Sequence, residues 1–198
     1  DGQATAILRF TWPAQSPLSR MRGRGLARFA AGDLVGILPP GSTVPRYYSL
    51  ASSWADGFVE ICVRQMPGGL CSTHLLNLRE GEQAHAFVRP NPGFVLPRTR
   101  RPVLLIGAGT GVVGVAPLAG FIRRNDAKAP LHLYFGGRDP ARDFYFGPDI
   151  QRWLAEGRLA SLHTAFSRIP EGGGYVQDAL RRDAERVRGL VAQGAIVR

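Results

Sequence analysis

The chain has 198 residues, 44% of them hydrophobic, enough to bury a sizeable core in one large domain or two small ones. Its 25 Lys+Arg exceed its 15 Asp+Glu to give a formal net charge of +10, but the excess is shared by both halves, with no single basic tract dominant and Lys128 the only lysine. That distribution argues against a nucleic-acid partner.

Cys62 and Cys71 form no disulfide framework, and the scattered His74, His85, His132 and His163 offer no metal-ligand spacing, so we expect no metal and a reducing, cytoplasmic compartment. The chain starts Asp1, Gly2, Gln3, without an initiator Met or signal peptide, as a piece of a larger and even membrane-attached protein would. Short strands are expected at 4–10, 33–38, 47–52, 58–65 and 84–88, separated by Gly, Pro, Ser and Asp, the spacing of an antiparallel barrel. One helix, 72–78, opens on a hydroxyl cap. Residues 90–102, rich in Pro and Arg, connect the halves. The period then changes: buried-type strands at 103–106, 131–135 and 159–166 alternate with helices at 117–124, 149–156 and 176–191, the pattern of a parallel α/β sheet. Residues 102–122 are uncharged between arginine pairs, but five glycines, Thr110 and Pro117 argue against a transmembrane segment. The end at 195–198 reads as a further parallel strand cut short, a C-terminal truncation.

Four constellations carry chemistry. In a strand Arg46 and Tyr48 share a face, so they could hold a phosphate and an aromatic ring of one ligand with Ser49 beside it; an ordinary half-buried strand reads the same way. Gly109, Gly111 and Gly114 have dinucleotide spacing between a strand and a helix, and Thr110 lies within that turn. Arg138 follows the next strand where an NAD site would offer an acid, which favours a phosphorylated ribose. Ser167, Arg168, Tyr175 and Gln177 follow the third strand and suit a phosphate, with a surface turn closed by Gly172, Gly173 and Gly174 as the plain alternative. Gly69, Leu70, Cys71 and Ser72 start the short helix, either as an anion cradle or as a simple cap, and nothing ties Cys71 to a base as a nucleophile.

Taken in order, RYYSLASS at 46–53, GGLCS at 68–72, FVRPNPGFVLP at 87–97, VLLIGAGTG at 103–111, LYFGGRDPARDFYF at 133–146 and AFSR with YVQ at 165–177 resemble the ferredoxin–NADP reductase superfamily. The likeness is greatest to the reductase module of diflavin proteins such as cytochrome P450 reductase and the sulfite reductase flavoprotein. The resemblance implies an FAD-binding β-barrel domain at 1–99, then an NADP-binding Rossmann-like α/β domain at 100–198. It implies an NADPH-dependent flavin oxidoreductase in which hydride passes from NADPH to FAD and electrons go on to a flavodoxin-like, FMN-domain or iron-centred acceptor. By the same resemblance Arg46 pairs with the flavin pyrophosphate, Tyr48 stacks on the isoalloxazine, and Ser49, the catalytic candidate, hydrogen-bonds near N5. Cys62 and Val63 line the ribityl chain, and Gly69, Leu70, Cys71 and Ser72 enclose the pyrophosphate. Gly109, Thr110 and Gly111 face the NADPH pyrophosphate and nicotinamide, while Arg138, Ser167, Arg168, Tyr175 and Gln177 recognise the adenosine end and its 2′-phosphate.

Three departures accompany the likeness. Val112 to Val115 lengthen the step from the glycine turn to Ala116 and Pro117. The stretch between Val63 and Gly69 is short, which keeps an FMN-only site open. The family's Cys-Gly motif and its carboxy-terminal aromatic lie beyond residue 198. The alternative is a truncated flavin-binding domain without productive turnover.

Overall fold

The structure, a computed structural model, describes residues 4–12, 27–96, 98–108, 112–125, 128–170 and 172–198, except the side chains of 112–114. The chain divides into two compact units, Asp1–Val95 and Leu96–Arg198.

Among the described residues of the first unit, five strands form two antiparallel sheets. β1 (Thr5–Phe10) pairs with β4 (Val59–Arg64), and β2 (Leu34–Leu38) runs between β3 (Arg46–Ser49) and β5 (His85–Arg89). No closed barrel is seen among the described residues. β3 stops three residues short of the expected strand because Leu50 and Ala51 turn inward to other partners. Leu50 donates its N–H to Asp33 and accepts from Gly32, while Ala51 donates to Glu60 of β4. This segment therefore stitches the two sheets together. Ser52 completes the seam, its hydroxyl donating to the Phe58 carbonyl at 2.9 Å and accepting from the Glu60 N–H at 2.8 Å.

The core under these sheets holds Phe29, Val35, Ile37, Leu50, Val59, Ile61 and Val63, with Cys71 and Leu75 from α1 (Leu70–Asn77). Burying each of the larger aliphatics contributes about 1.5–3 kcal/mol. Glu60 is fully buried and ion-paired across the β1–β4 ladder to Arg9, whose guanidinium also lies over Phe58.

In the second unit the sheet is wholly parallel, in the order β8 (Ser161–Phe166), β7 (Leu131–Gly137), β6 (Val103–Ala108), β9 (Ile196–Val197). Parallel strands need crossovers, and the chain supplies α2 (Val112–Arg123), α3 (Pro140–Asp143) with α4 (Gly147–Ala155), and α5 (Val176–Arg182) with α6 (Ala184–Ala192). Glycines set how closely the helices approach. A Cβ at Gly107 would meet Leu118 and Val115 of α2 at 3.0 and 3.1 Å, and one at Gly136 would meet Val176 of α5 at 3.0 Å. α2 begins five residues before the expected start, so Pro117 lies inside the helix, not at its first turn.

The expected single helix 176–191 is two helices broken at Asp183, whose carboxylate is drawn to the sheet. The Tyr134 hydroxyl donates to it at 2.8 Å and His163 Nδ1 reaches the same oxygen at 2.7 Å. The Tyr134 and His163 rings stack with centroids 4.3 Å apart. Ser161 Oγ links His163 Nε2 (3.2 Å) to His132 Nδ1 (2.9 Å), and Arg186 reaches His132 at 3.4 Å. The phenol is raised to about 12 by burial and by the Asp183 carboxylate. Among the described residues no helix is long and apolar enough to cross a membrane.

Burial first, with the Arg186 charge beside them, holds both imidazoles below the ordinary 6.5, although Asp183 opposes this at His163. The unfolded chain then takes up protons that the folded one refuses, so stability is full above pH 6.5 and is lost as pH falls through it. Calorimetric melting should show a lower midpoint at pH 5.5 than at pH 7.5, and His163→Asn should flatten that slope; a pH-independent midpoint over this range would refute the linkage.

Candidate functional site

The site of the first unit is built on β3. Arg46 pairs across the ladder with Ile37 and Tyr48 with Val35, so both project from the same face, while Tyr47 and Ser49 alternate with them. Arg46 is exposed and its guanidinium makes no ion pair with any described residue. Tyr48 is half-buried and packed against the core that includes Cys71 at the start of α1. Burial chiefly, with the Cys71 thiol adding to it, pushes its pKa up against the pull of Arg46, so the ring stays a neutral phenol. Ser49 is half-buried, and no described residue hydrogen-bonds its hydroxyl. Tyr47 points the other way, edge-on to Phe87 and under Arg89.

Gly69 is the cap of α1, which therefore starts two residues before the expected hydroxyl cap at Ser72. Ser72 is buried inside the first turn instead: its hydroxyl accepts from the Met66 N–H at 3.1 Å and donates to the Gly69 carbonyl at 3.3 Å. A Cβ at Gly69 would meet that oxygen at 2.7 Å, so glycine is required for the turn to close. The first-turn N–H groups of Leu70, Cys71 and Ser72 have no partners within the helix and form an anion-attracting end beside Tyr48. Cys62 and Val63 are buried in β4, opposite Ile7 and Ala6. Burial, with the Glu60 carboxylate adding to it, pushes the Cys62 thiol up to about 12, which rules out a thiolate nucleophile there at neutral pH.

In the second unit the carboxyl ends of β7 and β8 bring Arg138, Ser167 and Arg168 together. The Ser167 N–H donates to the Gly137 carbonyl at 3.0 Å and the Arg168 N–H to the Arg138 carbonyl at 2.7 Å. The loop returns through Gly174, whose N–H donates to the Phe166 carbonyl, and α5 then starts with Tyr175 as its cap and Gln177 in its first turn, both exposed. The Tyr175 ring is 60% exposed, available to a planar ligand. Arg168 is exposed and makes no ion pair with any described residue.

Behind them stands a residue that sequence reasoning missed. The buried Asp143 accepts N–H bonds from Arg138 and Asp139 at 3.2 and 3.0 Å and the Tyr145 hydroxyl at 3.3 Å, with Arg138 Nε 3.5 Å away. Burial raises such a carboxyl, but the Asp139 N–H and the Arg138 guanidinium outweigh it and hold Asp143 below its ordinary range. Only its place inside the DFYF run hinted at it. Gly109, Thr110 and Gly111 lie outside the described residues. Among the described residues no group of His, Cys, Asp and Glu could hold a metal ion.

No family model matches the chain. It is 34% identical over 183 residues to NADPH oxidoreductase A of Dictyostelium discoideum, covering 85% of this chain and 28% of that protein. It is also 34% identical over 183 residues to the sulfite reductase [NADPH] flavoprotein alpha-component of Vibrio vulnificus, covering 85% of this chain and 29% of the relative. Against NADPH-dependent diflavin oxidoreductase 1 of Saccharomyces cerevisiae the identity is 33% over 159 residues, 74% of this chain and 25% of the other. The chain thus spans less than a third of the length of these curated relatives. With a third of its residues shared along most of its length, and with antiparallel sheets followed by a parallel one, the chain belongs to the ferredoxin–NADP reductase superfamily, among the relatives of the diflavin reductases.

Proposed function

We propose that the chain is the reductase module of an NADPH-dependent flavin oxidoreductase, with an FAD-binding β-barrel at 1–99 and an NADP-binding domain at 100–198. The observation that carries the reading is the meeting of Arg138, Ser167 and Arg168 at the carboxyl ends of adjacent parallel strands, where an open sheet receives its ligands. Two arginines and a hydroxyl suit the dianionic 2′-phosphate that separates NADPH from NADH.

The residues of the first unit fit a flavin. Arg46, without a described partner, and the α1 first-turn N–H groups supply cation and donors for a pyrophosphate; Tyr48 supplies a neutral ring packed against the core. FAD, or FMN in the same cradle, would supply the two-electron to one-electron redox chemistry when bound, taking hydride from NADPH and delivering electrons onward. The protein's own part is positional. Tyr48 orients the ring by stacking, Ser49 offers a hydroxyl to the ring edge, and Cys62 and Val63 present the β4 backbone to the linking chain. Gly109, Thr110 and Gly111 belong to the nicotinamide side, and Tyr175 and Gln177 to the adenine. No side-chain acid or base is needed for hydride transfer, because distance and orientation between two rings decide the rate. The electron acceptor is a flavodoxin-like, FMN-containing or iron-centred domain or protein. We place the module in the cytoplasm, where the free, buried Cys62 and Cys71 remain thiols.

A visible spectrum of the purified protein, with FAD or FMN added if needed, followed by anaerobic NADPH, tests the reading. Flavin absorbance that bleaches with NADPH supports it, retained flavin that never bleaches favours a flavin-binding domain without turnover, and failure to take up flavin removes it. Ser49→Ala should keep the flavin but slow its anaerobic reduction by about tenfold, the worth of one hydrogen bond to the reacting edge, as read by stopped flow. Arg168→Ala should raise KM for NADPH by about 10- to 100-fold, the value of a charge-assisted bond, and leave KM for NADH within about twofold. Equal effects on the two nucleotides would contradict the assignment of Arg168 to the 2′-phosphate.

A further inference from the structure

We propose that Asp143 is a positioning residue for phosphate discrimination, acting through Arg138: its carboxylate holds the guanidinium that grips the ribose 2′-phosphate. The inference rests on the reading of Arg138 and Arg168 as the NADPH phosphate site and adds to it a residue that makes no ligand contact itself.

The geometry is specific. One oxygen, Asp143 Oδ2, gathers the N–H groups of Arg138 and Asp139 at 3.2 and 3.0 Å and faces Arg138 Nε at 3.5 Å. The other oxygen accepts from Tyr145 at 3.3 Å. Both the backbone and the side chain of Arg138 are therefore fixed by a single buried group on α3. The Arg138 carbonyl in turn accepts from the Arg168 N–H, so the setting of the first arginine passes to the loop of the second. A Cβ on Gly137 would come within 3.3 Å of Asp143 Cβ and 3.0 Å of the Phe166 ring, which shows how tightly the carboxylate is seated behind the strand end.

Arginine recognises phosphate through a planar fork, and its long side chain loses rotamer freedom on binding. Engaging Nε from behind leaves the outer Nη edge for the ligand and removes much of that loss before the ligand arrives. A carboxylate this close to a phosphate also repels it. The repulsion is blunted because two N–H dipoles and a guanidinium already neutralise the charge, and orientation prevails.

The test uses the whole chain and two probes, adenosine 2′,5′-bisphosphate and adenosine 5′-monophosphate, titrated calorimetrically. The wild type should bind the bisphosphate more tightly, and Asp143→Asn should reduce that preference by about tenfold while leaving monophosphate affinity within about twofold. In an Arg138→Met background the same substitution should change the preference no further, because the path through Arg138 is gone. Additive losses, equal weakening of both probes, or a tightened bisphosphate complex would each overturn the proposal. Should Asp143→Asn fail to fold, Arg138→Lys decides: it keeps the charge but not the tethered fork, and undiminished preference would show that orientation by Asp143 is irrelevant. A wild type that binds both probes equally removes the NADPH site and this inference together, an outcome distinct from a discriminating wild type with an indifferent Asp143→Asn.

Discussion

A carboxylate drawn wholly or partly out of water must find donors, and Asp33, Asp143 and Asp183 meet that demand where elements join. Asp33 is buried before β2, with one oxygen accepting from the Ala30 N–H at 2.9 Å and the other from the Asn91 N–H at 2.8 Å. It thereby ties the entry of β2 to the exit of β5. Asp143 does the same at the end of β7, drawing two successive N–H groups and a guanidinium together. Asp183 draws side chains of the sheet to the break between α5 and α6. At the buried Asp33 and Asp143 the surrounding residues are held because leaving the carboxylate unpaired would cost more than ordering them; Asp183 is partly exposed.

The Asp183 cluster illustrates why geometry alone is a poor guide to chemistry. Ser161 Oγ, His163 and Asp183 stand in the order of a hydrolytic triad, with links of 3.2 and 2.7 Å. Yet the serine oxygen also faces His132 at 2.9 Å, and the same aspartate oxygen accepts from Tyr134. A nucleophile needs a free line of approach, and a base needs an orienting acid that is its own. Here every group is shared between β7, β8 and the helices, which is the pattern of a latch that holds α5 and α6 to the sheet.

The sequence made the periodicities legible and left long-range partners hidden. The short bounded run at 58–65 and the apolar run at 103–106 marked β4 and β6, because burial on one or both faces fixes side-chain pattern directly. Arg46, Tyr48 and Ser49 were readable as a strand for the same reason. The break at Asp183 was not, since the apolar stripe of 176–191 continues across it and the cause is two sheet residues about 20 and 49 positions away. Nor was the start of α1, where Ser72 bonds back to Met66 instead of capping, or the start of α2, where a proline that usually opens a helix lies inside one. Asp143 escaped because a single polar residue at the end of a one-turn helix carries no periodic pattern, and the groups that converge on it are set by the fold.

The charges at the strand ends are layered in a way that follows from these constraints. Asp143 and Arg138 together, with two N–H dipoles, form a nearly neutral post, whereas Arg168, after the neighbouring strand, is exposed and without an ion pair among the described residues. An anion arriving at the carboxyl ends of β7 and β8 therefore meets the long-range pull of Arg168 and the fixed geometry of Arg138. On the proposed reading, attraction and selectivity would be divided between two residues whose backbones share a hydrogen bond of 2.7 Å. On the function proposed above, an acid at position 138 would suit a free ribose hydroxyl in place of a 2′-phosphate, so the sign of that one side chain would set the preference between NADH and NADPH.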